Sequence, residues 1–188
     1  MSDPLVWRLG ARVPDRDYRV FQTAFVDGEH PRTGAHKRFS LIEAVDWVNV
    51  IALTPEHRVV LIKQFRVGSS SVCLEIPGGM VDPGETPEVA AARELAEETG
   101  YTATRWERLG DVSPNPAIMT NRLHSFLAHD AVRTQSQRLD GSEVIDVELA
   151  TLAACHAAIR EGRIDHALVI VAFAHLTYSA HTSASNAP

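Results

Sequence analysis

A chain of 188 residues, 45% hydrophobic and 22% charged, suits one globular domain with an ordinary core and room for a small N-terminal addition. The formal net charge of −6, with no basic patch, argues against a nucleic-acid partner, while a small anionic substrate stays open if metal ions reverse the local field. The apolar run "ALVIVAFAHL" (Ala167 to Leu176) is too short to cross a bilayer, the start has no secretion-signal pattern, and Cys73 and Cys155 show no metal or redox spacing. Cytoplasm is therefore the expected location, with no membrane partner.

In chain order, "YRVFQTAFV" (Tyr18 to Val26) reads as a strand and "VDGEHPRTGAHKR" as a polar loop. "FSLIEA" and "DWVNVIAL" read as two strands, "EHR" as a turn, and "VVLIKQFRV" (Val59 to Val67) as a buried strand by its continuous apolar run. "GSSS" breaks that strand, and "VCLEIPGG" is a short one ending on a glycine turn. The clearest helix runs from about Thr86 to Thr99: Thr86 or Glu85 opens it, Pro87 suits its first turn and Gly100 closes it. "WERLGDV" and "RLHSFLAHD" are further strands around the proline-rich loop "SPNPAIMTN". "EVIDVELA" is the last strand, and "TLAACHAAIREG" and "HALVIVAFAHLTYSAH" are closing helices. Strands first, one helix in mid-chain and helices last predict an α+β sandwich, with residues 181–188 as a frayed tail.

The mid-chain helix concentrates acid. At about 100° per residue, with Glu94 at zero, Glu98 falls near +40° and Glu97 near −60°, while Val89, Ala92, Leu95 and Ala96 gather at roughly 100° to 220°. The apolar side must pack on a sheet, which sends the acidic side outward or into a cleft. A solvated helix face usually interleaves lysine with glutamate, yet no lysine lies between Val81 and Tyr101. Glu97 and Glu98 also sit at the negative end of the helix dipole. Directly upstream, the glycine turn "PGGMVDPG" can bring backbone oxygens beside the acids. Oxygen ligands at this density suit Mg²⁺ or Mn²⁺, which would offset the mutual repulsion.

Gly79, Glu85, Arg93, Glu94, Leu95, Glu97, Glu98, Gly100 and Tyr101 fill the pattern Gly-x5-Glu-x7-Arg-Glu-aliphatic-x-Glu-Glu-x-Gly-apolar without departure. This stretch resembles the box of the Nudix hydrolases. The resemblance implies an α/β/α sandwich with a mixed sheet and a loop–helix–loop box, and Mg²⁺-dependent hydrolysis of a nucleoside diphosphate linked to another group. It implies Glu94 and Glu98 as the main metal ligands, with Glu97 and the Gly78 carbonyl as further ones, and Glu97 and Glu98 as catalytic carboxylates. Glu85 and Arg93 then form a structural pair that stiffens the box loop.

Outside the box, "VVLIKQFRVG" with "LEIPGGMVDPGE", and "GRIDHALVIVAF" later, look like the ADP-ribose pyrophosphatase and nucleoside-diphosphate-sugar branch. That likeness implies an arginine, Arg66, on the diphosphate. Glu143, in "LDGSEVIDVEL", becomes the candidate general base or extra metal ligand, ahead of Asp146 and Glu148. Trp47 either stacks a purine or sits in the core or a dimer interface. The loop "NPAIMTNRLHSFLA" lacks the glycine and acid typical of ADP-ribose enzymes and looks like relatives acting on nucleoside diphosphate sugars more broadly. Asn115, Asn121, Arg122 and His124 are its candidate sugar or phosphate contacts. The strands before Ala44 resemble an element exchanged between subunits, implying domains at 1–44 and 45–180 and a homodimer with composite sites. The expected reaction yields a nucleoside monophosphate and a sugar phosphate. Other diphosphates (dinucleoside polyphosphates, coenzymes, oxidised nucleotides) and a non-catalytic nucleotide-sugar sensor are the alternatives.

Overall fold

The computed structural model describes residues 5–185, and the chain divides into two compact units: residues 1–45 with 113–122, and residues 46–112 with 123–188. The N-terminal unit is a three-stranded antiparallel sheet, β1 (Arg8–Asp17), β2 (Gln22–Glu29) and β3 (His36–Glu43), in the order β1-β2-β3. The proline-rich segment joins it through backbone bonds, Ile42 N–H to Ile118 O (2.7 Å) and Thr120 N–H to Ile42 O (3.1 Å).

Local chemistry moves the expected strand boundaries here. Tyr18–Phe21 is a turn rather than a strand start. Arg19 takes a left-handed φ of 71°, its N–H donates to Asp17 Oδ1 at 2.7 Å, and the Tyr18 and Phe21 rings stack at 4.9 Å. The polar stretch read as a loop is largely hairpin, since only residues 30–35 separate β2 from β3. Strand β1 is absent from the sequence-based prediction because every one of its residues is exposed, so no alternation betrays it.

The larger unit carries a mixed sheet in the order β7 (Gly78–Met80), β4 (Trp47–Ala52), β10 (Leu123–His129), β9 (Arg105–Val112). Strand β10 runs parallel to β4, and the other two pairings are antiparallel. An antiparallel sheet β12 (Ile145–Thr151), β5 (Arg58–Arg66), β6 (Ser71–Glu75) and a short pair, β8 (Tyr101–Thr102) with β11 (Val132–Arg133), complete the strands. Strand β4 is buried on both faces, in keeping with residues that are apolar apart from the buried Asn49. Val48, Val50 and Ala52 pack with Ala90, Ala91 and Leu95 of helix α1 (Pro87–Thr99). On the other face Ile51 joins Cys155 of α2 (Leu152–Arg160) and Val169, Ala172 and Phe173 of α3 (Ala167–Ser185). Helices thus cover both faces of a mixed sheet. Helix α3 reaches Ser185, and residues 186–188 of the expected tail lie outside the described residues.

Helix α1 begins and ends as its caps dictate. Thr86 Oγ1 accepts from Val89 N–H at 3.4 Å, Pro87 takes the first turn, and Gly100 closes the helix with φ 76°. Its packed side differs from expectation. Val89 is 54% exposed, and the buried residues are Ala90, Ala91, Leu95, Glu98 and Thr99. The packed arc therefore centres near +60° and takes in Glu98 itself (about +40°). Two alanines let the helix approach the sheet closely, which brings its acidic edge inside.

Candidate active site

Glycines bring the acids against backbone. A Cβ on Gly79 would stand 2.3 Å from Glu94 Oε1, and one on Gly78 would stand 2.3 Å from Val48 O, so neither position accepts a side chain without displacement. The bonds of this edge to the β4 side run from Val50 N–H to Pro77 O (2.9 Å) and from Val81 N–H to Asp46 O (2.9 Å). That phase turns Gly78 toward the helix, where its N–H donates to Glu98 Oε2 at 2.8 Å.

Three box glutamates share one neighbourhood with different burial. Glu98 is 4% exposed. Burial pushes its carboxyl up to about 8; the Glu94 and Glu143 charges add to the rise, while the Gly78 N–H and Arg66 oppose it. Glu94 is raised as well, first by burial and then by Glu97 and Glu143, against the pull of Arg93. Glu97 lies further out and accepts from Arg93 Nη1 at 3.2 Å. Glu143 belongs to a turn, where Asp140 N–H donates to its carboxylate at 3.2 Å, and its charge reaches both Glu94 and Glu98. Asp146 and Glu148 lie along β12, and Glu148 pairs with Lys63.

Arg93 organises the box loop. Its Nε and Nη2 donate to Glu85 Oε1 and Oε2, both at 3.0 Å, Nη2 reaches Met80 O at 2.9 Å, and Nη1 reaches Glu94 Oε1 at 2.9 Å. Among the described residues, no group of three or more His, Cys, Asp or Glu side chains is arranged to hold a metal ion as it stands. Arg93 occupies Glu94 and Glu97, and the Gly78 N–H occupies Glu98. The donor set still fits a hard divalent cation: the carboxylate oxygens of Glu94, Glu97 and Glu98 lie on one helix edge, and Glu98 is buried and raised by the neighbouring Glu94 and Glu143 charges.

Gly78 and Gly79 also line a cavity of about 620 Å³. Its lining includes Trp47, Asn49, Arg66, Cys73, Glu75, Met80, Leu123, Asp165, His166 and Leu168. Gly78 and Gly79 thus line the cavity and also touch the carboxylates, Gly78 through its N–H to Glu98 and Gly79 by its close approach to Glu94. Arg66 joins them, since it lines the cavity and feels the Glu98 charge. Its guanidinium is held on Glu75 by two bonds, Nε to Oε1 at 2.9 Å and Nη2 to Oε2 at 2.8 Å. Burial alone would raise the Glu75 carboxyl, but Arg66 and His166 hold it down at about 2.

Glu75 and His166 escaped the sequence reading. Glu75 looks like one polar position in a short strand, and its partners lie 9 and 91 residues away. Asn115 and Arg122 belong to the N-terminal unit. There the Asn115 carbonyl accepts from Ile118 and Met119 N–H, and Arg122 donates to Ser113 Oγ at 3.0 Å. Asn121 is buried in the same unit. His124 is 7% exposed, clasped between Asp111 (2.9 Å from Nδ1) and Asp46 (3.0 Å from Nε2), so it ties β10 to β9 and to the entry of β4.

Comparison with known proteins agrees with this architecture. An ADP-ribose pyrophosphatase of Bacillus subtilis (strain 168) is 35% identical over 135 residues, covering 71% of this chain and 72% of the relative. A GDP-mannose pyrophosphatase of Cronobacter sakazakii is 30% identical over 162 residues, covering 80% and 81%. The solved structure of an ADP compounds hydrolase superposes with a TM-score of 0.81 at 21% identity, covering 94% of this chain and 95% of that one, and so shares its fold. The NUDIX domain model matches residues 45–172, and with the box helix, its glycine edge and the mixed sheet this places the chain in the Nudix family.

Proposed function

We propose that this chain is a divalent-metal-dependent pyrophosphohydrolase. It cleaves the diphosphate of ADP-ribose or another nucleoside diphosphate sugar into a nucleoside monophosphate and a sugar phosphate. The observation that carries this reading is the glycine edge, Gly78 and Gly79, that lines a nucleotide-sized cavity and also contacts the carboxylates of Glu98 and Glu94. The two pyrophosphatase relatives, one of ADP-ribose and one of GDP-mannose, support the substrate class.

Glu94 and Glu98 would hold Mg²⁺ or Mn²⁺, with Glu97 and the Gly78 carbonyl completing the set; the ion supplies neutralising charge to the diphosphate oxygens and acidifies water. Arg66, braced by Glu75, binds the diphosphate. Trp47 offers a face for the base. Water attacks phosphorus, the P–O anhydride bond breaks, and Glu143 accepts the proton. The Glu85–Arg93 pair keeps the box loop stiff.

The reading extends to a cytoplasmic homodimer. Two free cysteines suit a reducing compartment, and no helix among the described residues is long and apolar enough to cross a membrane. Strand β1 is exposed at every residue, with Leu9 at 61% and Val13 at 54%, and a second copy would cover it. The decisive experiment incubates purified protein with a nucleotide-sugar panel and Mg²⁺ and resolves the products by chromatography. Paired monophosphate and sugar phosphate are expected. Folded protein that turns over no member of the panel refutes the reading and favours a sensor.

A further inference from the structure

The cavity has two polar residues, Asp165 and His166, that the reaction above leaves unused. At its foot the buried Glu75 carboxylate is shared: Arg66 takes both oxygens, and His166 Nδ1 lies 3.2 Å from Oε2. His166 stands immediately before α3, and its exposed neighbour Asp165 lines the same cavity. A carboxylate held ionised by arginine only accepts, so Nδ1 carries the hydrogen, and in the tautomer with its one hydrogen on Nδ1 the ring has Nε2 as an acceptor. The described residues supply no hydrogen bond to Nε2, and the side chain is 39% exposed.

Two acceptors beside a guanidinium select a particular ligand chemistry. Asp165 repels phosphate oxygens and so leaves the phosphate to Arg66. Hydroxyl donors suit both Asp165 and His166 Nε2. The lining also carries the apolar side chains of Trp47, Met80, Leu123 and Leu168, which suit a base. We infer that His166, together with Asp165, accepts hydrogen bonds from the hydroxyls of a sugar attached to the diphosphate and thereby sets substrate specificity. This rests on the hydrolase reading above. Because Glu75 grips both Arg66 and His166, one carboxylate spaces the phosphate-binding group from the hydroxyl-binding group.

His166→Asn separates the two roles of the ring. Its amide nitrogen replaces Nδ1 against Glu75, while the Nε2 acceptor is lost. For ADP-ribose, KM should rise about tenfold, as for one lost hydrogen bond, with kcat within about twofold and an unchanged melting temperature. The gap between wild type and variant should close on analogues lacking the sugar hydroxyls. Titration calorimetry with AMP and with ribose 5-phosphate then shows which sugar is bound, since the variant should lose affinity for one of them. Equal KM on all substrates, or equal affinity for both halves, overturns the inference. If wild type hydrolyses no nucleotide sugar, the proposed activity fails, and calorimetry alone decides here. A ribose 5-phosphate or AMP affinity lost in His166→Asn sustains the subsite; equal binding, or none, removes it.

Discussion

Glu98→Gln should make the metal-free protein more stable, by an amount that grows with pH. The Glu98 carboxyl stands at about 8 in the folded chain against an ordinary 4.5, because it is buried beside Glu94 and Glu143. A raised acid is held protonated by the fold, so ionising it works against folding. The penalty begins as pH climbs past 4.5 and is complete above 8. At 1.36 kcal/mol per pH unit, it is under about 1 kcal/mol at pH 5, about 3 kcal/mol at pH 7 and about 5 kcal/mol at pH 9. Glutamine keeps an acceptor for the Gly78 N–H and carries no charge, so the variant should escape this cost. For a domain of this size, about 3 kcal/mol corresponds to a melting temperature roughly 6–12 °C higher at pH 7. Scanning calorimetry in EDTA from pH 5 to 9 measures the difference, and Mg²⁺ should narrow it by stabilising only the wild type. A difference that stays flat with pH, or a variant less stable throughout, refutes the idea that desolvated charge is stored at this position.

Gly79→Ala should lower kcat by at least about a hundredfold and weaken Mg²⁺ binding in titration calorimetry, since its Cβ would meet Glu94 Oε1 at 2.3 Å and push that carboxylate away. Glu143→Gln should cut kcat by about 10²-fold or more with little change in melting temperature, because the turn that carries it is exposed. Glu75 is held at about 2 by Arg66 and His166, so its contribution is present above 4.5 and lost as pH falls toward 2. The full loss is about 3 kcal/mol, of which about 2 kcal/mol falls between pH 5 and pH 3, and urea unfolding at those two pH values should show a much smaller loss in Glu75→Gln.

The box was legible in the sequence because its chemistry is local. Thr86, Pro87 and Gly100 mark the helix, and the fixed spacing from Gly79 to Tyr101 names the family, since caps and turns act within a few residues. Strand β5 was equally plain from its apolar run. Tertiary structure decided what lies far apart in the chain. It brought Glu75 to His166 across 91 residues, placed the Glu143 charge beside Glu98, and shaped a cavity against two glycines. It also decided that Glu98 is buried while Val89 is exposed, a reversal of their hydrophobic order. Side-chain identity sets which groups can ionise, but the surroundings that shift their ionisation come from distant strands, and only packing reveals them.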